Sequence, residues 1–127
     1  MSGDWGLLAL RIGVGITFLV HGNQKRAMWK VQPSAQMPAG MLTLLRVLSI
    51  AEPLGGLATL VGLLTRAAAA GFVLVMLGAI RLKITQLHKG FSGDGGWELE
   101  FMLLVGALAL LLLGAGKFSL DRVILRM

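Results

Sequence analysis

The residues able to do chemistry in this 127-residue chain are few and sit in unusual surroundings. Glu52 is the twelfth of 24 residues in the apolar stretch Met41 to Leu64. A charge at the centre of a bilayer costs at least about 2.5–3.5 kcal/mol on insertion scales, so such a group must be paired, neutralised or put to use. Arg11 lies six residues into the stretch Trp5 to Gly22, a depth of about 9 Å at 1.5 Å per residue. An intramembrane ion pair between Arg11 and Glu52 is the expected arrangement. Its alternatives are an Arg11 that snorkels to the head groups over a protonated Glu52, or a proton or ligand site built from both.

A second constellation comes from stretch ends. His21 closes the first apolar stretch, His88 follows the third, and Lys25 and Glu98 fall at the same end of the molecule. Two imidazoles and a carboxylate beside an ammonium form a candidate quinone or ligand site, because such groups can protonate a reduced quinone at neutral pH. The same inventory could ligate a metal or haem. Two histidines on different helices, with no i, i+4 pair, give no reason to assign a metal, and haem is not expected. There is no His-Glu metalloprotease motif, phosphate loop or Ser–His–Asp order, so no catalytic residue is assigned. The absence of cysteine excludes thiol catalysis, disulfides and cysteine-held clusters.

The elements that must position these groups are membrane helices. Hydrophobic residues make up 56% of the chain and charged ones 14%, against roughly 25% charged in a soluble domain, and the mean hydropathy is +0.80. Four apolar stretches, 5–22, 41–64, 67–87 and 99–116, each approach the roughly 20 residues a membrane helix needs. None alternates with period two, which argues against a barrel. The expected fold is an all-α integral membrane protein: one domain over residues 1–127, a bundle of four transmembrane helices and a short C-terminal interfacial helix. The leader Met1 to Asp4 carries no Lys or Arg, so the first stretch reads as a retained helix rather than a cleaved signal.

Four spans put both termini on one side, called side A, together with the tight Thr65–Arg66 connection. The longer loops, Asn23 to Gly40 and His88 to Glu98, lie on side B. Basic residues number four on side A and six on side B, or four if Arg81 and Lys83 belong to a helix end, and this tally leaves the orientation open. The net charge of +6 sits between apolar stretches, which points to lipid head groups rather than nucleic acid. Gly13, Gly15, Gly55, Gly56, Gly62, Gly71, Gly78 and Gly106 allow close helix packing, and Pro53 should bend the second helix. Glu98 and Glu100 are about 200° apart around the fourth helix, so only one can face the interior. In the tail, Leu120, Val123, Ile124 and Met127 repeat at helical spacing, with Arg122 and Arg126 toward water and Ser119 as a cap.

Three segments carry a resemblance: LRIGVGITFLVHGNQK in the first helix, EPLGGLATLVGLLTRAAA across the tight hairpin, and GAGKFSLDR after the fourth helix. Together they resemble the DoxX family of small four-helix bacterial membrane proteins, from about Leu8 to Arg122. The matching positions include Arg11, His21, Gly22 and Lys25; Glu52, Gly56, Gly62, Thr65 and Arg66; and Gly114, Gly116, Ser119, Leu120 and Asp121. Ala115 departs from the proline that members often carry there. The resemblance implies a four-span fold, a multi-pass protein of the bacterial inner membrane, and a link to redox complexes, the family being named after a subunit of a thiosulfate:quinone oxidoreductase. The expected role is therefore a non-catalytic accessory or anchoring subunit with protein partners or further copies of itself. A quinone-interacting subunit and a small transporter working through Arg11 and Glu52 are the alternatives.

Overall fold

The computed structural model describes residues 2–125, and these form helices and turns with no strand among them. Helix α1 is Ser2–Gln24, α2 Ala39–Val61, α3 Thr65–Thr85 and α4 Glu98–Leu113. A 3₁₀ turn, Lys25–Lys30, follows α1. Three segments are long and apolar enough to cross a membrane: Gly3–Lys30, Ala39–Val61 and Thr65–Thr85. The fourth helix is shorter than the apolar stretch that encodes it, at 16 residues. It stops at Leu113 because Gly114 takes a φ of 80°, a conformation outside the helix that glycine adopts without strain.

The pairing of α1 with α2 rests on glycine. A β-carbon on Gly56 would lie 2.6 Å from the Gly15 carbonyl oxygen, and one on Gly22 would collide with the Pro53 ring. Only hydrogen fits at these crossings. In lipid, where burial of apolar surface gives helices no preference for one another, such close approach is what lets dispersion hold them together. The other half of the core is aromatic and aliphatic. Phe18 of α1 stacks on Phe72 of α3 with centroids 3.7 Å apart and planes 2° from parallel. Val14, Met76, Leu103, Ala107 and Leu110 surround them, all buried. Gly106 of α4 faces Val14, and Gly55 of α2 faces the Phe72 ring. Gly13, Gly71 and Gly78, by contrast, have open space where a side chain would go.

The hairpin between α2 and α3 occupies Gly62 to Leu64, so Thr65 and Arg66 open α3 instead of forming the connection. Gly62, at φ 75°, ends α2: its N–H donates to the Thr59 carbonyl and that of Leu63 to the Ala58 carbonyl, the pairing of a Schellman turn. The N-terminus of α3 is then capped from far along the chain. The Asp121 carboxylate accepts from the backbone N–H groups of Leu64 (2.5 Å) and Thr65 (2.9 Å), while the Asp121 N–H donates to the Gly62 carbonyl (2.7 Å). A negative charge on orphan donors at a helix N-terminus is favourable twice over.

The tail forms a short π-helical turn, Asp121–Leu125, instead of a regular amphipathic helix. Ser119 does cap it, its Oγ accepting from the Arg122 N–H. Leu120, Val123, Ile124 and Arg122 are exposed; Arg126 and Met127 lie outside the described residues.

Two outcomes test this packing. Gly56→Ala is expected to lower stability in detergent by about 1–3 kcal/mol through overpacking, while Gly71→Ala, on the open face, leaves the melting temperature unchanged or raises it. Asp121→Ala removes the α3 cap and should cost about 1–2 kcal/mol, read as a lower melting temperature and as faster hydrogen exchange at Leu64 and Thr65.

Candidate functional site

The register set by the glycine contacts decides where each charge falls. Gly22 meets Pro53, Gly15 meets Gly56 and Leu60, and Arg11 lies over Gly62. Glu52 is thus level with the last turn of α1. Arg11 is level with a residue ten positions further along α2, about 15 Å away at 1.5 Å per residue. The expected Arg11–Glu52 pair does not form. Glu52 lies near the middle of α2, and the antiparallel offset of the two helices sets it level with the side B end of α1.

Its partner there is Lys25. The Lys25 ammonium is 2.9 Å from Oε2 of Glu52, whose side chain is only 1% exposed. Arg11 instead donates from Nη2 to the Phe118 carbonyl and feels the charge of Asp121. A β-carbon at Gly62 would strike the Arg11 guanidinium and the Ser119 side chain. Arg11 is therefore a buried tie between α1, the hairpin and the tail at side A.

A second ion pair joins α3 to α4. Lys83 lies 2.6 Å from Oε1 of Glu100 and also donates to the Gly96 carbonyl. Glu100 is buried and Glu98 exposed. One of the two carboxylates does face inward, as their 200° separation requires, and it is Glu100.

These groups surround a cavity of about 630 Å³ at side B. Its polar wall holds His21, Lys25, Glu52, Arg81 and Glu100, and its apolar wall includes Leu44, Leu48, Leu74 and Met76. Lys25, Glu52, Lys83 and Glu100 all act electrostatically on the His21 ring. Each carboxylate spends one oxygen on a lysine, and the other, Oε1 of Glu52 and Oε2 of Glu100, is buried with no hydrogen-bond partner among the described residues. The cavity lies between the first half of α2 and the second half of α3, and Leu44 (50% exposed) and Leu74 (71%) stand at its edge. Arg81, Thr85 and Gln86, also exposed, line it toward the end of α3, so its rim is apolar along the helices and polar at side B.

Of the constellation expected around a ligand, His21 and Lys25 line this cavity, and His88 and Glu98 do not. His88 is exposed and takes a φ of 52° just after α3, where it turns the chain. Glu98 starts α4 on its outward face, where its charge favours the helix N-terminus. Glu52 and Glu100 take their places. The signal for Glu100 was its spacing from Glu98; choosing between them needed the rotation of α4, which Gly106 against Val14 sets.

The nearby loop is docked by polar contacts. Trp29 donates its indole N–H to Ser49 Oγ (2.8 Å), and Arg46 donates to the Met28 and Val31 carbonyls (3.0 and 2.8 Å). The Arg46 guanidinium also lies 5.6 Å from the Trp29 ring centroid.

A double-mutant cycle on unfolding in mixed micelles separates the two pairing schemes. Lys25→Met and Glu52→Gln are expected to couple by about 1–3 kcal/mol, and Arg11→Met with Glu52→Gln to add within about 0.5 kcal/mol. Coupling in the second cycle and none in the first would contradict the geometry.

Comparison with known proteins gives a family match and relatives. The DoxX family model matches residues 6–85, from α1 through α3. A Bacillus subtilis protein with the name "Putative oxidoreductase CatD" is 33% identical over 94% of this chain and 87% of its own length. A Mycobacterium tuberculosis protein with the name "Uncharacterized membrane protein Rv3486" is 35% identical over 95% of this chain and 82% of its own length. No solved structure gives a significant match.

Proposed function

Because this chain belongs to the DoxX family of membrane proteins, we propose that it is the membrane-integral subunit of a redox complex in the bacterial inner membrane and that its side B cavity is the complex's quinone site. The single observation that carries this reading is the cavity itself. Its volume of about 630 Å³ falls within the range of about 300–1,000 Å³ usual for small-molecule sites. It is apolar over most of its wall and polar at one end, and it opens toward lipid. A quinone is an apolar molecule with a polar ring that lives in lipid and exchanges two electrons and two protons. The residues present fit that group: Leu44, Leu48 and Leu74 would flank its apolar part, while His21 and Glu52 would hold the ring and move protons between it and Lys25 at the surface. The name of the Bacillus relative includes oxidoreductase, which agrees with a redox setting.

In this reading α4 is the fourth span. It runs antiparallel to α3 from the Lys83–Glu100 pair at one end to Gly114 at the other, where Arg66 of the first α3 turn lies against it. It therefore covers the same slab as a helix that is long enough to cross. Its 16 residues make about 24 Å at 1.5 Å per residue, and the turn at Gly114 to Gly116 completes the crossing.

An accessory or anchoring role is compatible with this site, and a separate observation favours it. Ala67 and Gly71 are exposed one turn apart at the start of α3, with nothing opposite Gly71. Small residues at such spacing are what a partner helix requires for close approach.

The test is binding in lipid nanodiscs. A short-tailed ubiquinone or menaquinone analogue should bind saturably to the wild type. Leu48→Trp, which fills the cavity, should abolish binding, and His21→Ala should weaken it about tenfold, the value of one hydrogen bond to a buried group. Absence of saturable binding to the wild type removes this reading.

A further inference from the structure

A second hollow at side B shares no lining residue with the cavity between α2 and α3. It is a groove of about 690 Å³ between the end of α1 and the middle of α2. Leu19, Val20 and Pro53 give it an apolar floor, and Asn23, Gln24 and Arg26 give it a polar end. Asn23 and Gln24 lie one turn beyond Leu19 and Val20, so the surface passes from apolar to polar along the helix axis. The crossing of Gly22 over Pro53 sets the depth of this groove. From Pro53, α2 continues toward side B as far as Ala39, about 21 Å at 1.5 Å per residue. Arg26 therefore stands beside a span, where Val47 and Ile50 also face outward, and not beyond the end of the bundle.

No carboxylate lines this groove. The connection from Asn23 to Gly40 carries Lys25, Arg26 and Lys30 and no acid. Lys25 is turned to Glu52. Arg26 and Lys30 are exposed and form no ion pair among the described residues. Arg26 donates from Nη1 to Oδ1 of Asn23 at 3.1 Å, which orients the guanidinium and leaves most of its five N–H groups to spare. The turn that carries these cations is fixed in place. Trp29 bonds Ser49 in the wall of the groove, and Arg46 holds the Met28 and Val31 carbonyls. An exposed guanidinium beside an apolar span is costly unless an anion meets it. Its planar fork matches two oxygens of a phosphate.

We propose that this groove holds an anionic phospholipid of the side B leaflet, with its phosphate on Arg26 and a chain along Leu19, Val20 and Pro53. The sign of the occupant follows from the wall, which offers a guanidinium and two amides and no carboxylate. Lys30, on the same turn, adds to the positive field at the head groups. The class of the occupant follows from the floor. A soluble anion gains nothing from apolar surface, whereas a phospholipid presents phosphate and chain in the order in which the groove presents Arg26 and Val20. The bound lipid joins α1, the 3₁₀ turn and α2 on the flank where Gly22 crosses Pro53. This site goes beyond the quinone reading and does not depend on it, since the two hollows have no residue in common.

The experiment places the full chain in nanodiscs of equal parts phosphatidylglycerol and phosphatidylcholine with matched chains. The protein is then extracted in mild detergent, and the lipids that stay bound are counted by native mass spectrometry. Phosphatidylglycerol is expected to be enriched at least about fivefold, the worth of one basic side chain at the head groups. Arg26→Gln should bring the ratio most of the way to parity, with melting temperature recorded as the check on folding. Arg81→Gln, at the rim of the other cavity, should leave the ratio unchanged. Val20→Trp, which covers the apolar floor from an exposed position, should reduce the bound lipid of both kinds. Excess inorganic phosphate should not displace the lipid; displacement would mark a site for soluble anions and overturn the lipid assignment. Parity in the wild type overturns the proposal, and so does enrichment that survives Arg26→Gln and Val20→Trp or is lost with Arg81→Gln. The wild-type ratio decides the matter even if a variant fails to fold, and no arm contains a quinone, so failure here leaves the reading of the other cavity untouched.

Discussion

The contact on which the rest depends is the close crossing of α1 and α2 at Gly15, Gly22 and Gly56. It does two things at once. It supplies attraction where lipid offers none, by bringing backbone atoms within van der Waals distance. It also fixes the offset between the helices, because the ring of Pro53 can sit only where residue 22 lacks a β-carbon. Two basic residues acquire their neighbours from that offset. Lys25 arrives beside Glu52, and Arg11 arrives beside Gly62 and the tail.

From this follows a division of the molecule into stapled halves. The Lys25–Glu52 pair ties the end of α1 to α2, and the Lys83–Glu100 pair ties α3 to α4. Both staples lie toward side B. No ion pair among the described residues joins α2 to α3, and it is between those two helices that the cavity lies. Two neutral pairs also explain how four charges can be kept near an apolar cavity. A carboxylate held 2.9 Å or 2.6 Å from an ammonium recovers in Coulomb energy part of what desolvation removes.

The helices themselves are legible in the sequence, since runs of about 20 apolar residues have few other uses. Their ends are less so. The hairpin at Gly62 and the stop at Gly114 depend on left-handed or otherwise positive φ values, and a glycine inside an apolar run does not declare whether it will adopt one. Among the candidate residues, His21 and Lys25 were legible because a helix end is a local property. Glu52 was legible as a residue with a task, and its partner was not, because partnership is a matter of interhelical register. Apolar composition constrains register hardly at all; the glycine contacts that set it involve backbone atoms, which have no one-letter code. The same holds for Asp121. Nothing near it in sequence shows that it caps a helix 56 residues away.

Arg11 and Asp121 complete the logic from the opposite end. At side A the chain is drawn together. Arg11 reaches the Phe118 carbonyl, Asp121 binds the α3 N-terminus, and the Lys117 N–H donates to Asp4 of α1. Three helices and the tail meet there in a web of charged and backbone hydrogen bonds, which low dielectric strengthens. The α2–α3 hairpin is thus anchored at its closed end. At its open end, α2 is stapled to α1 and α3 to α4, with the cavity between them. The cavity thus lies where no ion pair among the described residues joins α2 to α3, with Glu52 and Glu100 in its wall.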